Sequence, residues 1–529
     1  MTRAVAVHPV SHGTHLAQEN PAMSEPISTS TDSITRRDSQ HLRYGRLGAI
    51  AIAFFVISAA APLTGMAGGA PFAMLLGNGA GVPLSYALVT VLMLVFAVGY
   101  VAMARHHTSA GAFYSYVARA MGGYAGGAAA WIALLGYNAM QIGLYGLFGF
   151  AAAGVMDALF GVTVAWWVMA YLGWASIAIL GYRQIDLSLK VLGVLVALEF
   201  VIVLIFDLMV LVKGGAGATG QTLSFSSFSW GEFSSGVPAI GLLFAAASFV
   251  GFEATTIYSE EAKEPSRTVP KATYIAVLTI GIFFMITSWL MVNSYGDNAT
   301  LVEFLGGKDL GDPTNFLFAM AGPYIGSFLS EKIMLLLFAT SIYAALLAFH
   351  NAVARYAYAL GREGLVPEAL GRTHQAHLSP HMGSISQSVL ALVVMSIFVI
   401  RDMDPTVTLF TWLTQLGTLA ISFLMAFSAL AVVLFFANNK GLEPNVWKSA
   451  IAPVLATIGL LVVAVYATVK FGFLIGDPES VLAWLLPALI LVAAVVGIVS
   501  AVALRSREPE TFERMGRDRS LQLVEPENL

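Results

Sequence analysis

Twelve stretches of mostly apolar residues, each about as long as a bilayer is thick, constrain this chain more than anything else in it. They fall near 46–77, 82–104, 128–157, 162–182, 188–212, 236–259, 271–295, 332–360, 383–400, 406–436, 450–471 and 481–504. A helix crossing hydrocarbon needs about 20 such residues. The chain therefore reads as an all-α polytopic membrane protein of about twelve transmembrane helices. Charge agrees with that: Asp, Glu, Lys and Arg make up 11% of the residues, where a water-soluble domain carries roughly 25%.

The basic residues orient the spans. With the N-terminus inside, Lys213, Lys308, Lys332, Arg401 and Lys470 fall outside, and the other 22 of the 27 Lys and Arg fall inside. This is the bias that cytoplasmic loops carry. It places both termini in the cytoplasm and the chain in the cell membrane as a multi-pass protein. Residues 1–45 are polar, lack the apolar run of a secretory leader, and read as a disordered cytoplasmic tail. Residues 505–529, with Arg505, Arg507, Arg514, Arg517 and Arg519, read as a second. Between them lies a transmembrane domain, 46–504. A net charge of −4 argues against a nucleic-acid partner. The absence of cysteine excludes disulfides, thiolate metal sites and cysteine nucleophiles. Neither cofactor nor metal is expected.

Two segments lose their helical regularity. The first holds Ala61-Pro62-Leu63-Thr64-Gly65-Met66-Ala67-Gly68-Gly69-Ala70-Pro71, where proline removes a helical hydrogen bond and three glycines weaken the rest. The sixth holds Ala247-Ser248-Phe249-Val250-Gly251-Phe252-Glu253, with an ionisable residue just past its middle. Irregular backbone survives in hydrocarbon only where it lines a cavity or is buried in protein. First and sixth positions correspond if the chain is two five-helix repeats, 46–212 and 236–436, followed by two further helices at 450–504, and discontinuous helices at matching positions point to a transporter's binding site. A half-helix starting near Thr64–Gly68 would offer N–H groups to a carboxylate. One ending near Phe249–Gly251 would offer carbonyls to an ammonium group. The expected substrate-binding set is Thr64, Gly65, Met66, Ala67, Gly68, Ser248, Phe249, Gly251 and Phe252. Close helix packing is the competing explanation of the glycines.

The chain resembles the amino acid–polyamine–organocation transporters over roughly 46–504. The resemblance rests on Gly251-Phe252-Glu253 followed by Glu260-Glu261-Ala262-Lys263-Glu264-Pro265-Ser266-Arg267-Thr268-Val269-Pro270-Lys271-Ala272, and on Asn351 through Arg355-Tyr356-Ala357-Tyr358-Ala359-Leu360-Gly361-Arg362-Glu363-Gly364-Leu365-Val366-Pro367. It implies a LeuT-like 5+5 inverted repeat with broken helices 1 and 6, a midplane site between helices 1, 3, 6, 8 and 10, and amino acids or related amines as substrates, often driven by protons. Many members carry Gly-Ser-Gly at the first break, where this chain reads Thr64-Gly65-Met66-Ala67-Gly68-Gly69. Several proton-coupled members place a lysine in the fifth helix, and the corresponding position here falls on Glu199.

Glu199 sits mid-span, where an ionised carboxylate is costly; it must face protein or water, or carry a proton, and is a candidate for proton coupling. Glu253 is the other candidate. It can gate access, carry the proton or contact the substrate amine, or else cap the helix that resumes after the break. Asn138 and Gln141, three apart, share a helix face and either read the substrate or bond a neighbouring helix, as Tyr137, Ser341, Tyr343, Thr411, Trp412 and Gln415 can. Asp207, two turns beyond Glu199, reads as solvated near the outer interface. His350 and Asn351 read as packing or loop anchors, and Glu260 and Glu261 as cytoplasmic partners of Lys263 and Arg267. A membrane enzyme would need a nucleophile–base pair or metal cluster inside the spans, and a channel would need rings of charge or carbonyl filters; neither is apparent. The reading is of a proton-coupled symporter importing an amino acid by alternating access, with a polyamine or other amine carrier, or an exchanger, as alternatives.

Overall fold

The computed structural model describes residues 48–106, 112–183, 189–215, 222–253, 255, 262–372 and 380–516. The tail expected at 1–45 and the loop residues Glu260 and Glu261 lie outside this set. Among the described residues the protein is helical apart from one isolated bridge, Gly215 to Thr222. Nine helices there are long and apolar enough to cross a membrane. Each of the twelve apolar segments carries helix. The first is α1 (Ala49–Ala59) and α2 (62–78); then come α3 (Val82–Ala104), α4 (Ala112–Met121), α5 (Gly123–Phe160), α6 (Trp166–Tyr182), α7 (Leu189–Lys213) and α8 (Pro238–Ala247). They are followed by α9 (Pro265–Tyr295), α10 (Phe316–Ile325), α11 (Leu335–Arg362), α12 (His381–Ile400), α13 (Thr411–Asn438), α14 (Ala452–Val469) and α15 (Leu482–Arg507). Of these, α4 and α10 were not legible as spans; they are short helices inside the connections.

The 38-residue α5 is the axis of the fold, packed on α4, α6, α11, α13 and α15. Apolar surface gains little by leaving lipid, so close backbone approach must hold such helices together. At the crossing of α5 and α13, a Cβ on Gly417 would lie 2.6 Å from the Gly136 carbonyl oxygen and 2.7 Å from Met140 Cγ. A second face is formed by α9 against α3 and α1, and α14 covers α3 and α13.

Two expectations from the sequence are corrected. The break in the first segment lies at Ala60–Ala61, one turn before Thr64–Gly69, which is itself a wide π-type helical stretch. Ala61 turns the chain at φ 45°, and Pro62, which has no N–H to lose, opens the new helix. Asp207 is not solvated: it is 4% exposed, and Thr287 of α9 donates a hydrogen bond to it at 2.7 Å.

Outside the spans, Asp312 clasps the segment before α10 to the start of the tenth span. Its Oδ1 accepts from Thr314 N–H at 2.8 Å. Thr406 Oγ lies 2.5 Å from Asp312 Oδ2 and 2.9 Å from Asp404 Oδ1. Asp404 caps its helix through the Thr406 and Val407 N–H groups at 2.8 and 2.6 Å. Burial, aided by the neighbouring charge of Asp404, lifts its carboxyl above the usual carboxylate range.

Two outcomes are expected. Gly417→Val should lower the melting temperature in detergent by several degrees, since overpacking a close crossing costs about 1–3 kcal/mol; an unchanged melt would show that α5 and α13 are not in such contact. For Asp312, a raised folded-state pKa means that ionisation costs stability above it, and that this cost fades as pH falls towards the unfolded value of about 3.9. Asp312→Asn should therefore raise the melting temperature relative to wild type at pH 8, with the difference shrinking towards pH 5. A difference independent of pH would refute the raised Asp312 carboxyl.

Candidate functional site

Proline at the start of α2 leaves few free donors there, and the structure shows where one of them goes. Glu199, from α7, is 1% exposed. Its carboxylate accepts the Leu63 backbone N–H and, at 2.7 Å, the Ser341 hydroxyl of α11. Thr64 completes the chain, donating to Ser341 Oγ at 3.0 Å. A carboxylate at a helix N-terminus meets the positive end of the helix dipole. Three elements distant in sequence, α2, α7 and α11, are thereby tied at one buried acidic group. Among the described residues the ion pairs are Arg267–Glu264 and Arg514–Glu510, both at the surface, and Glu199 faces hydroxyl and amide donors in place of a cation.

The expected amides are displaced accordingly. Gly65 N–H bonds back to Ala61 O at 3.1 Å, inside the helix and not at the break. Gly65 and Gly68 sit against Phe284 of α9 and Leu147 of α5, where a Cβ would collide; packing, the competing explanation, accounts for both. Met66 and Ala67 are fully buried. A Cβ on Gly69 would meet no atom within 4 Å.

The second break lies where the sequence placed it. After Ala247 the chain passes through short-range turns, Phe249 N–H to Ala246 O and Val250 N–H to Ala247 O at 3.0 and 3.1 Å. Gly251 then adopts φ 106°, a conformation that side chains disfavour. Among the described residues no backbone N–H reaches the carbonyls of Ser248, Val250 or Gly251. Glu253 folds back on the turn, accepting Gly251 N–H at 2.9 Å and the Tyr137 hydroxyl of α5 at 2.5 Å. Tyr100 of α3 donates to the Glu253 carbonyl at 3.4 Å. Phe252 is fixed in an aromatic cluster with Phe96, Tyr100 and Phe113, at centroid distances of 5.8, 6.1 and 6.2 Å. Phe249 is fully buried.

Asn138 and Gln141 separate. Asn138 bonds its own helix at Leu134 O, 2.6 Å away. Gln141 reaches His350 Nδ1 at 3.3 Å and Tyr145 at 3.2 Å, leaving its buried Oε1 without a partner. His350 also meets Ser384 of α12 at 2.8 Å, so it joins α5, α11 and α12 inside the scaffold, in line with its reading as a packing residue. Tyr343 bonds Ser176 at 2.9 Å and Trp412 bonds Leu474 O at 3.0 Å, both to neighbouring elements. Ser341 and Tyr137, not separable from these in the sequence, are in contact with intramembrane carboxylates, Glu199 and Glu253 respectively. The Leu63 amide and Tyr100 were missed altogether; an amide has no residue-type signal, and Tyr100 is one of 18 tyrosines.

Comparisons with known proteins agree with this architecture. The family model described as amino acid permease matches residues 47–504. The chain is 24% identical over 324 residues to the low-affinity putrescine importer PlaP of Escherichia coli, spanning 60% of this chain and 67% of that one. It is 22% identical over 402 residues to the branched-chain amino acid permease BcaP of Bacillus subtilis, spanning 72% and 79% respectively. A crystal structure of a mutant manganese transporter from Eremococcus coleocola aligns over 90% of this chain and 98% of its own, with a TM-score of 0.51 at 13% identity. At that identity the likeness is one of fold, and the fold is LeuT-like.

Proposed function

The chain belongs to the amino acid permease family, and from that premise we propose that it is a proton-coupled importer of an amino acid, working by alternating access with both termini in the cytoplasm. The observation that carries this reading is that two interrupted helices each end on a buried carboxylate, Glu199 at the start of α2 and Glu253 past the end of α8.

Consider a zwitterion between the breaks. Its ammonium group suits the carbonyls of Ser248, Val250 and Gly251. Its carboxylate seeks the positive end of α2, where Glu199 already holds the Leu63 amide. Two anions compete for one helix terminus. At about 6 Å and an effective dielectric of about 20, their repulsion is roughly 3 kcal/mol, about a hundredfold in affinity. Protonating Glu199 removes it, so substrate and proton bind together, and linkage is reciprocal. The same proton loosens the clasp between α2 and the helices carrying Glu199 and Ser341, which frees the broken helix to move.

A diamine makes the opposite demand. Its second cation gains from an ionised Glu199, so acid would weaken its binding. The similarity to a named putrescine importer supports this second reading; that to a named branched-chain amino acid permease supports the first.

Thermal-shift titrations of purified protein with leucine and putrescine at pH 5.5 and 7.5 separate them, since a ligand of the folded state raises its melting temperature. The amino acid reading requires leucine or another amino acid to stabilise more strongly at pH 5.5; putrescine stabilising alone, and more at pH 7.5, overturns it. In proteoliposomes, Glu199→Gln should cut uptake driven by a pH gradient at least tenfold while counterflow at equal pH continues. Uptake that still follows the gradient in this variant removes Glu199 from coupling.

A further inference from the structure

We infer that a polar cavity between the connection leading to α8 and the end of α9 is a second ligand site, one that binds a primary ammonium group and is built around Glu232 and Asp297. Its use in capturing solute ahead of the broken helices rests on the importer reading and the orientation above; the binding itself does not.

The cavity holds about 350 Å³, the size of a small-molecule site. Its walls are pinned on both sides. Trp289 and Asn293 of α9 donate to the Ser224 carbonyl at 2.7 and 3.2 Å, and Asn293 Oδ1 accepts the Ser224 N–H at 2.6 Å. Opposite them, the turn carrying Glu232 presses on the start of α3, where a Cβ on Gly81 would lie 2.4 Å from the Glu232 carbonyl oxygen. Glu232 Oε1 accepts from Asn298 at 2.9 Å, and Asn298 donates also to Ser226 at 3.0 Å. Asp297 holds the turn after α9, accepting the Ala299 N–H at 3.0 Å and the Thr300 hydroxyl at 2.9 Å.

Charge and hydrogen bonding are both left unbalanced here. Two of the lining residues are carboxylates and none is basic. Among the described residues neither carboxylate is in an ion pair. Lys213, at the end of α7, is engaged by the Pro323 carbonyl and the Tyr324 ring. Ser227 also lines the cavity; it is 1% exposed, and its hydroxyl has no partner among the described residues. A buried hydroxyl left unpaired is costly, and a cleft lined by one sign of charge concentrates the opposite sign. A primary ammonium answers both, with one positive charge and three donors for carboxylate and hydroxyl oxygens. A bare metal ion fits less well, since among the described residues no cluster of three or more acidic or histidine ligands stands ready to hold one.

Position gives the site its use. Glu232 and Asn298 also line a neighbouring cavity of about 410 Å³, bordered by Leu75 and Gly77 at the end of α2 and by Gly236 and Val237 just before α8. The Glu232–Asn298 pair is thus a shared wall. In the proposed orientation a solute held on one side of it stands next to the outer ends of both broken helices.

Equilibrium binding of radiolabelled putrescine and leucine to the purified full-length protein at low salt tests the site. Glu232→Gln keeps the shape and removes the charge, and Asp297→Asn does the same while keeping an acceptor for the turn. Wild type should bind at least one probe in two components. Each variant should weaken one component at least tenfold, leave the other within about twofold, and melt within a few degrees of wild type. Glu232→Asp should recover most of the loss, and N-acetylleucine, which lacks the ammonium group, should not compete for that component. In proteoliposomes Glu232→Gln should raise the KM of uptake at least fivefold with kcat within twofold. The site is overturned if neither probe shows a component that depends on Glu232, if both components fall together, or if N-acetylleucine competes as well as leucine. Binding as expected in a protein that takes up neither probe sinks the importer reading and leaves the site standing.

Discussion

Hydrocarbon offers no partner to a backbone N–H or C=O, and that constraint governs the rest of this structure. A helix interrupted at mid-depth frees peptide groups that must find partners within the protein. Here two glutamates supply part of the answer. Glu199 takes a donor from the start of α2, and Glu253 takes the Gly251 N–H inside the turn after α8. Each therefore has a structural duty in addition to any role in transport. The two duties are compatible, because a group that satisfies a break in one protonation state satisfies it less well in the other.

In the proposed alternating-access cycle, a moving broken helix needs something fixed to move against. The α5 axis provides it, through backbone approaches such as Gly136 with Gly417 that tolerate no side chain. His350, bonded to Gln141 and near Ser384, knits α5, α11 and α12 further. Ser341 belongs to α11 on this fixed side, while Thr64 belongs to α2. The Thr64–Ser341–Glu199 chain thus crosses a boundary between elements, and it does so with short hydroxyls in place of a salt bridge. Hydroxyl contacts in membranes are worth about 0.6 kcal/mol each, weak enough to be broken once per cycle.

Much of the architecture was legible in the residues, since a span announces itself by length and apolarity. Both breaks were legible too, because Gly and Pro are costly in a helix wherever they fall. The register of the first was not. Pro62 was read as a breaker inside a helix, yet proline costs nothing at a helix's first position, so the break lies just before it. Asp207 was misplaced for a different reason. It is buried, and Thr287, 80 residues away, donates to it. Ser341 shows the general limit: nothing in its local sequence says that a carboxylate 142 residues earlier will meet it.

The two carboxylates sit at opposite poles of their helices, and this asymmetry bears on their division of labour. Glu199 stands at an N-terminus, where the dipole favours its negative charge, so a proton there would forgo a favourable interaction with α2. Glu253 follows a C-terminus, where the dipole opposes an anion, and it is held by a phenol and a glycine amide in compensation. One group gains by keeping its charge and the other by sharing it with a hydrogen-bond donor. On the proposed proton-coupled reading, a proton arriving at Glu199 changes what α2 can grip, whereas Glu253 stays tied to its own break by the phenol and the amide. The different settings of Glu199 and Glu253 follow from which end of a broken helix each one faces.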